Sequence, residues 1–221
     1  MTRAAPPWTW ALLAAILIAQ AAWHAALGPP RMTTEALPPA PSTHALRLAS
    51  FGEAPAASRL GMLYLQAFDL RTLDYARLTE WLRALLELDP RGQYPLFTAA
   101  RVYAEIPDTA RSRIMLEFVY EQFLLDPDRR WPWLAHAALL AKHRLKDLAL
   151  ARRYAAAIDR QTTAADVPLW ARQMEIFILE DMNELEAARI MIGGLLASGR
   201  ITDPAEAAFL RQRLEALDAR R

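Results

Sequence analysis

The chain has 221 residues and no cysteine, which excludes disulfides, thiol catalysis, Cys-ligated zinc or iron–sulfur centres and lipidation through a lipoprotein cysteine. Its 26 Lys and Arg against 25 Asp and Glu give a net charge of +1, so no electrostatic case exists for a nucleic-acid partner. Almost all the basic residues are Arg; only Lys142 and Lys146 are Lys.

In chain order, no charge separates Arg3 from Arg31, and Trp8 to Leu27 is a largely apolar run of 20 residues. As a helix it would span about 30 Å, the thickness of a bilayer core. Trp8 and Trp10 near one end and Trp23 near the other suit the membrane interfaces, and Pro29-Pro30 would stop the helix. Residues 1–28 are therefore expected to be an N-terminal transmembrane anchor. Arg3 favours an inside N-terminus and an exported body, although Arg31 and Arg47 weaken that signal. A signal peptide is the rival reading, with Ala11–Ile18 as its apolar region and Ala19-Gln20-Ala21 as its cleavage site.

Residues 29–50 read as a Pro-rich linker whose Leu37-Pro38-Pro39-Ala40-Pro41-Ser42 would extend and hold the body off the membrane, with a short helix near His44–Ser50. The body, 51–221, alternates helices with short breaks. Ala56–Asp69 is the first expected helix and Asp74–Leu88 the second, with Asp74 as N-cap. Tyr75, Leu78, Leu82, Leu85 and Leu86 form one apolar stripe on the second. Ala110–Leu125 follows as the next such helix, and the stripe returns at Leu148, Ala151, Ala155 and Ile158 and again at Leu185, Ala188, Ile192, Leu195 and Leu196.

A shorter phrase carries the same period. Leu88-Asp89-Pro90 precedes Tyr94-Pro95 by the spacing at which Leu125-Asp126-Pro127 precedes Trp131-Pro132, and the two copies lie 37 residues apart. Self-similarity at such a period marks stacked helical hairpins. Pro90 and Pro127 are expected to end one helix, and Pro95, Pro132 and Pro168 to open the next, over Pro95–Ile106, Pro132–Arg144 and Pro168–Met182. Trp170, Met174, Phe177 and Ile178 would be the buried stripe of the last. Gly193-Gly194 inside a helix suggests close packing or a kink, and Gly199 a stop. Asp203-Pro204-Ala205-Glu206 would start a polar capping helix running to about Arg220.

Lys146-Asp147-Leu148-Ala149-Leu150-Ala151-Arg152-Arg153-Tyr154 and Asn183-Glu184-Leu185-Glu186-Ala187-Ala188-Arg189 resemble the second helix of a tetratricopeptide repeat. The Leu-Asp-Pro endings are similar too. The likeness covers roughly residues 55–200 as four degenerate hairpins; the period is longer than that family's and its Trp–Leu-Gly–Tyr pattern is not kept. It implies an all-α fold, a right-handed array of antiparallel helical hairpins, with protein binding as its activity. The whole chain, including Trp131-Pro132-Trp133-Leu134-Ala135-His136, also resembles a group of proteobacterial membrane-anchored proteins, a likeness that implies no activity.

His136 and His143 lie seven apart on one expected helix, but a partly buried His and a His at a basic helix end account for them better than a metal does. Glu175, Glu180 and Asp181 read as a solvated face. No phosphate loop, nucleophile or metal motif is recognisable, so neither catalysis nor a cofactor is expected. The most interaction-like stretch is Arg129-Arg130-Trp131-Pro132-Trp133 with the basic residues from Lys142 to Lys146. The expected function is a membrane-anchored scaffold or assembly factor in a bacterial envelope complex, its body periplasmic. The contact positions would be Arg101, Arg130, Trp131, His136, Lys142 and Arg172. A structural tether without peptide recognition, an envelope enzyme and homo-oligomerisation remain open. On this reading Arg130→Glu with Lys142→Glu lowers crosslinking to a partner and leaves the fold intact.

Overall fold

The structure is a computed structural model that describes residues 6–27, 36–199 and 201–219. Among these it is all-helical. The expected Pro29-Pro30 stop, the charges Arg3 and Arg31 and the end of the last helix at Arg220 lie outside the described residues.

Helix α1 is Pro7–Leu27. Leu12, Leu13, Ile16, Leu17, Ile18 and its three Trp are exposed, and neither hydrophobic core includes any of its residues. Among the described residues no helix is long and apolar enough to cross a membrane. The described helices therefore do not support the expected transmembrane span.

The body begins earlier than the expected boundary at residue 51. Leu37 is 1% exposed, its carbonyl accepts from Arg77 Nη1 at 2.8 Å, and the Pro38 carbonyl accepts from Trp81 Nε1 at 2.8 Å. This end of the Pro-rich segment is therefore bound down on the body and is not a free spacer. Two short-looped helices follow, α2 (Thr43–Ala49) and α3 (Ala54–Leu65), the first capped by Ser42. Pro55 lies in the first turn of α3 rather than before it.

Four hairpins then stack. The first pairs α3 with α4 (Tyr75–Leu88). The second pairs α5 (Tyr94–Thr98), continued by a π turn over Ala99–Tyr103, with α6 (Thr109–Leu125). The third pairs α7 (Pro127–His143) with α8 (Leu148–Gln161). The fourth pairs α9 (Leu169–Arg172) and α10 (Met174–Asp181) with α11 (Leu185–Ala197), and α12 (Pro204–Asp218) covers it. Asp74, Asp147 and Asp203 each cap a helix by accepting from its first N–H groups, as expected for Asp before an apolar stripe. Gly61 lets α3 approach α4: a Cβ there would lie 2.4 Å from Leu85 Cδ2.

The 37-residue period is physical. Lys146 and Asn183, 37 apart, both adopt left-handed backbone, with φ of 55° and 60°, in the turns before α8 and α11. Side chains that reach between hairpins also bridge about one period. Tyr154 donates to Glu117, 37 residues back, at 3.2 Å. Arg83 meets Glu121, 38 ahead, at 3.0 Å, and Asp128 meets Thr163, 35 ahead. Each hairpin thus hands its apolar faces and its polar ties to the next.

Three helix assignments need correction. Pro127 opens α7 rather than only ending α6, and Pro132 sits inside α7. Proline suits the first turn, where its missing N–H removes no bond, and Asp128 there complements the helix dipole. In the first copy of the phrase the corresponding residues form a loop before α5. The helix expected over Pro168–Met182 breaks at Gln173, and Trp170 within it is 54% exposed, not part of a buried stripe. Gly193 and Gly194 lie in α11 with nothing within 4 Å of an added Cβ, so close packing does not explain them, and nothing else in the structure does.

Asp128 also predicts an acid sensitivity. Its Oδ1 accepts from the backbone N–H of Thr163 at 2.6 Å and Ala164 at 2.9 Å, its Oδ2 from Thr163 Oγ1 at 2.8 Å, and these bonds hold its carboxyl below the usual range. Asp147 is lowered likewise, first by the Leu150 N–H and then by Arg113. A depressed folded pKa contributes stability above the unfolded value, lost as pH falls through the folded one. Thermal unfolding followed by circular dichroism between about pH 6 and about pH 2 is expected to show that loss below the ordinary carboxylate pKa of about 4. Asp128→Asn should flatten it, the variant and parent converging at the acid end.

Candidate functional site

Helix α7 carries the most interaction-like stretch, and its neighbours on both sides turn it into a groove. Phe97 and Arg101 come from the second hairpin, Trp131, Pro132, Trp133, Ala135, His136 and Leu139 from the third, and Trp170 from the fourth. The groove holds about 400 Å³. Its walls are aromatic: Trp131 meets Trp170 edge-on with centroids 5.5 Å apart, and Phe97 meets Trp133 edge-on at 5.8 Å. Trp133 Nε1 is fixed by donating to Gln93 Oε1 at 2.5 Å, so the polar edge of that indole is satisfied away from the groove. Phe97, Leu139 and Trp170 stay exposed, which leaves the apolar lining open to a visitor.

One rim is polar. Arg101 Nη1 lies 3.2 Å from His136 Nδ1, and His136 Nε2 lies 3.1 Å from Glu105 Oε1. Arg can only donate, so Nδ1 accepts and Nε2 carries the proton donated to Glu105. Burial lowers the His136 pKa, the bond to Glu105 opposes this, and Arg101 adds to the lowering. The imidazole is consequently a neutral link in an Arg–His–Glu row. The π turn at Ala99–Tyr103, closed by the Ala104 N–H on the Ala99 carbonyl at 3.0 Å, carries Arg101 at this rim. Such turns recur at functional positions.

Of the six expected contact residues, the structure brings Arg101, Trp131 and His136 together here. The other three go elsewhere. Arg130 is 5% exposed: its guanidinium donates to the Gln122 carbonyl at 2.7 Å, to Gln122 Oε1 at 3.2 Å and to the Pro90 carbonyl at 3.2 Å. It ties three segments together and presents nothing to a partner, and desolvation pulls its pKa down. Lys142 pairs with Asp181 of the next hairpin. Arg172 donates to the Ala164 carbonyl at 2.7 Å and lines a different pocket, between α8, α9 and α11, of about 490 Å³. Sequence reasoning missed Phe97, Leu139, Glu105 and the exposure of Trp170. Phe97 lies four residues before Arg101, a helical spacing that could have flagged it.

The carboxylates read as one solvated face are three separate ties. Glu175 is buried and accepts from Arg152 Nε at 3.0 Å, with Arg160 at 4.0 Å. Glu180 accepts from Arg213 of α12 at 2.9 and 2.5 Å, and Asp181 takes Lys142. A helix packed on both sides faces a neighbour where an isolated amphipathic helix would face water. Among the described residues no three His, Asp or Glu side chains are grouped to hold a metal ion.

The fold and groove define a class: an all-α protein of stacked helical hairpins with an open aromatic groove. The chain matches no family model, no curated protein and no solved structure.

Arg130 separates a structural from a surface role. Arg130→Ala removes a buried guanidinium that serves the Gln122 and Pro90 carbonyls and is expected to cost about 3 kcal/mol in urea denaturation. Arg101→Ala should stay within about 0.5 kcal/mol of the parent. The pair Arg130→Glu and Lys142→Glu would therefore destabilise the body, and a crosslink lost from it would not isolate binding.

Proposed function

We propose that this is a protein-binding helical-repeat protein of tetratricopeptide-like construction, held at a bacterial inner membrane by α1, its body in the periplasm, acting as a scaffold or assembly factor without catalysis. The single observation that supports binding is the groove across three hairpins, with Phe97, Leu139 and Trp170 exposed in an aromatic lining. A fold that stacks its apolar faces inward has no packing reason to leave these side chains in water, and aromatic residues with a neighbouring Arg are enriched where interfaces bind most strongly. The Arg101–His136–Glu105 rim offers both a cation and a carboxylate to the polar groups of an apolar peptide. The repeat period, its turns at Lys146 and Asn183 and its one-period ties support the tetratricopeptide-like reading.

Anchoring is supported by the exposure of α1 rather than by its hydropathy total. A helix with apolar side chains on all sides and none packed in the body is covered by something else. At 1.5 Å per residue its length is about 31 Å, near the thickness of a bilayer core.

A photo-crosslinker placed at Leu139 in the full chain, with products identified by mass spectrometry, tests the groove. Arg101→Glu combined with Trp170→Ala should cut the yield of a specific crosslink about tenfold. Thermal stability should stay close to the parent's, because both side chains are exposed. Equal yields from parent and variant would sink the groove as the binding site.

A further inference from the structure

The N-terminal end of the array carries a second open apolar surface. Phe51 is 98% exposed at the tip of the α2–α3 turn, held there by left-handed backbone, with φ of 52° at Phe51 and 88° at Gly52. Leu48, Leu60 and Leu63, on the two helices that this turn joins, are 64–68% exposed. Beside them a shallow groove of about 290 Å³ is lined almost wholly by apolar groups, among them Leu46, Leu60 and Trp81. Left-handed backbone is unfavourable for a non-Gly aromatic residue. Here it turns a large ring straight into solvent.

Two observations say what covers this corner. The first is its position on the tether. Trp81 lines the groove and also donates to the Pro38 carbonyl, while Arg77 holds the Leu37 carbonyl. The chain coming from α1 is therefore bound to the body at the same corner. Even fully extended, the residues between Leu27 and Leu37 reach only about 35 Å. The second is charge: residues 43–66 carry Arg47 and Arg59 against Glu53 as the one carboxylate. Arginines beside exposed Leu and Phe match anionic headgroups above an acyl boundary.

Resting on the proposed anchoring by α1, we propose that the α2–α3 corner docks on the bilayer surface, with Phe51 and its neighbouring leucines entering the interface and the two arginines meeting anionic lipid headgroups. The body then lies against the membrane at one end, its repeat axis leading the aromatic groove of α7 away from the surface.

The test uses the full chain reconstituted in vesicles of three parts phosphatidylcholine to one part phosphatidylglycerol. The protein has no cysteine of its own, so Glu53→Cys, at an exposed position next to the tip, accepts an environment-sensitive fluorophore without background. Asn183→Cys, exposed on the fourth hairpin, is the distant control. Flotation reports anchoring, and quenching by lipids bearing a nitroxide near the headgroup reports docking. The expected result is flotation with quenching at position 53 but not at 183, and loss of that quenching in Phe51→Glu with Leu60→Glu while flotation persists. Flotation without quenching at 53 overturns the docking and leaves the anchor standing. Failure to float overturns both. Concentration-dependent fluorophore self-quenching at 53 in place of lipid quenching would mean that a second copy covers the corner, and would also overturn the proposal.

Discussion

A hairpin of two amphipathic helices cannot bury its apolar surface alone, and this chain is organised around that deficit. α4 turns Leu78, Leu82 and Leu85 inward against α3, but its other flank needs α6, and α8 in turn needs α10. One hydrophobic core consequently runs from Leu37 to Ile178. The polar ties obey the same rule. Arg83, Asp128, Tyr154 and Arg130 each bond a partner about one period away or across the joint, so the register between hairpins is specified by hydrogen bonds as well as by packing. Arg153 shows how the two combine, pairing with Glu117 while it lies over the rings of Tyr120 and Tyr154.

Much of this was legible because it is local. Helix starts at Asp74, Asp147 and Asp203 follow from one side chain serving the first N–H groups of its own helix. The recurring stripe follows from period alone. The errors arose where one hairpin answers another. Its aromatic and basic neighbours in sequence mark Arg130 as a surface contact, yet its guanidinium donates to carbonyls on two other segments. Glu175 reads as solvated because its own helix cannot reveal that Arg152 lies across from it. Pro132 reads as a helix start because it copies Pro95, yet the helix already begins at Pro127.

The groove inherits its rigidity from the same stacking. No single hairpin owns it: Arg101, Trp131 and Trp170 come from three successive units, and their mutual positions depend on the register that the ties enforce. The neutral His136 is part of that enforcement, linking the second hairpin to the third through Arg101 and Glu105. A site assembled across units is stiff where each unit alone would be marginal, and this lowers the ordering cost of any visitor.

Helix α10 stands between two cores. Met174 and Ile178 belong to the long core, while Ile176 and Leu179 on its other side belong to a separate cluster with Ala188, Ile192, Leu210 and Leu217. Eight residues thus form a party wall. The ties anchored on the wall face both ways, Asp181 to Lys142 behind it and Glu180 to Arg213 ahead. The last two helices have no apolar share in the first core, so they can peel off as a cooperative leaf while α2 through α10 keep theirs. In an array with independent segments of this kind, the free end frays before the middle melts.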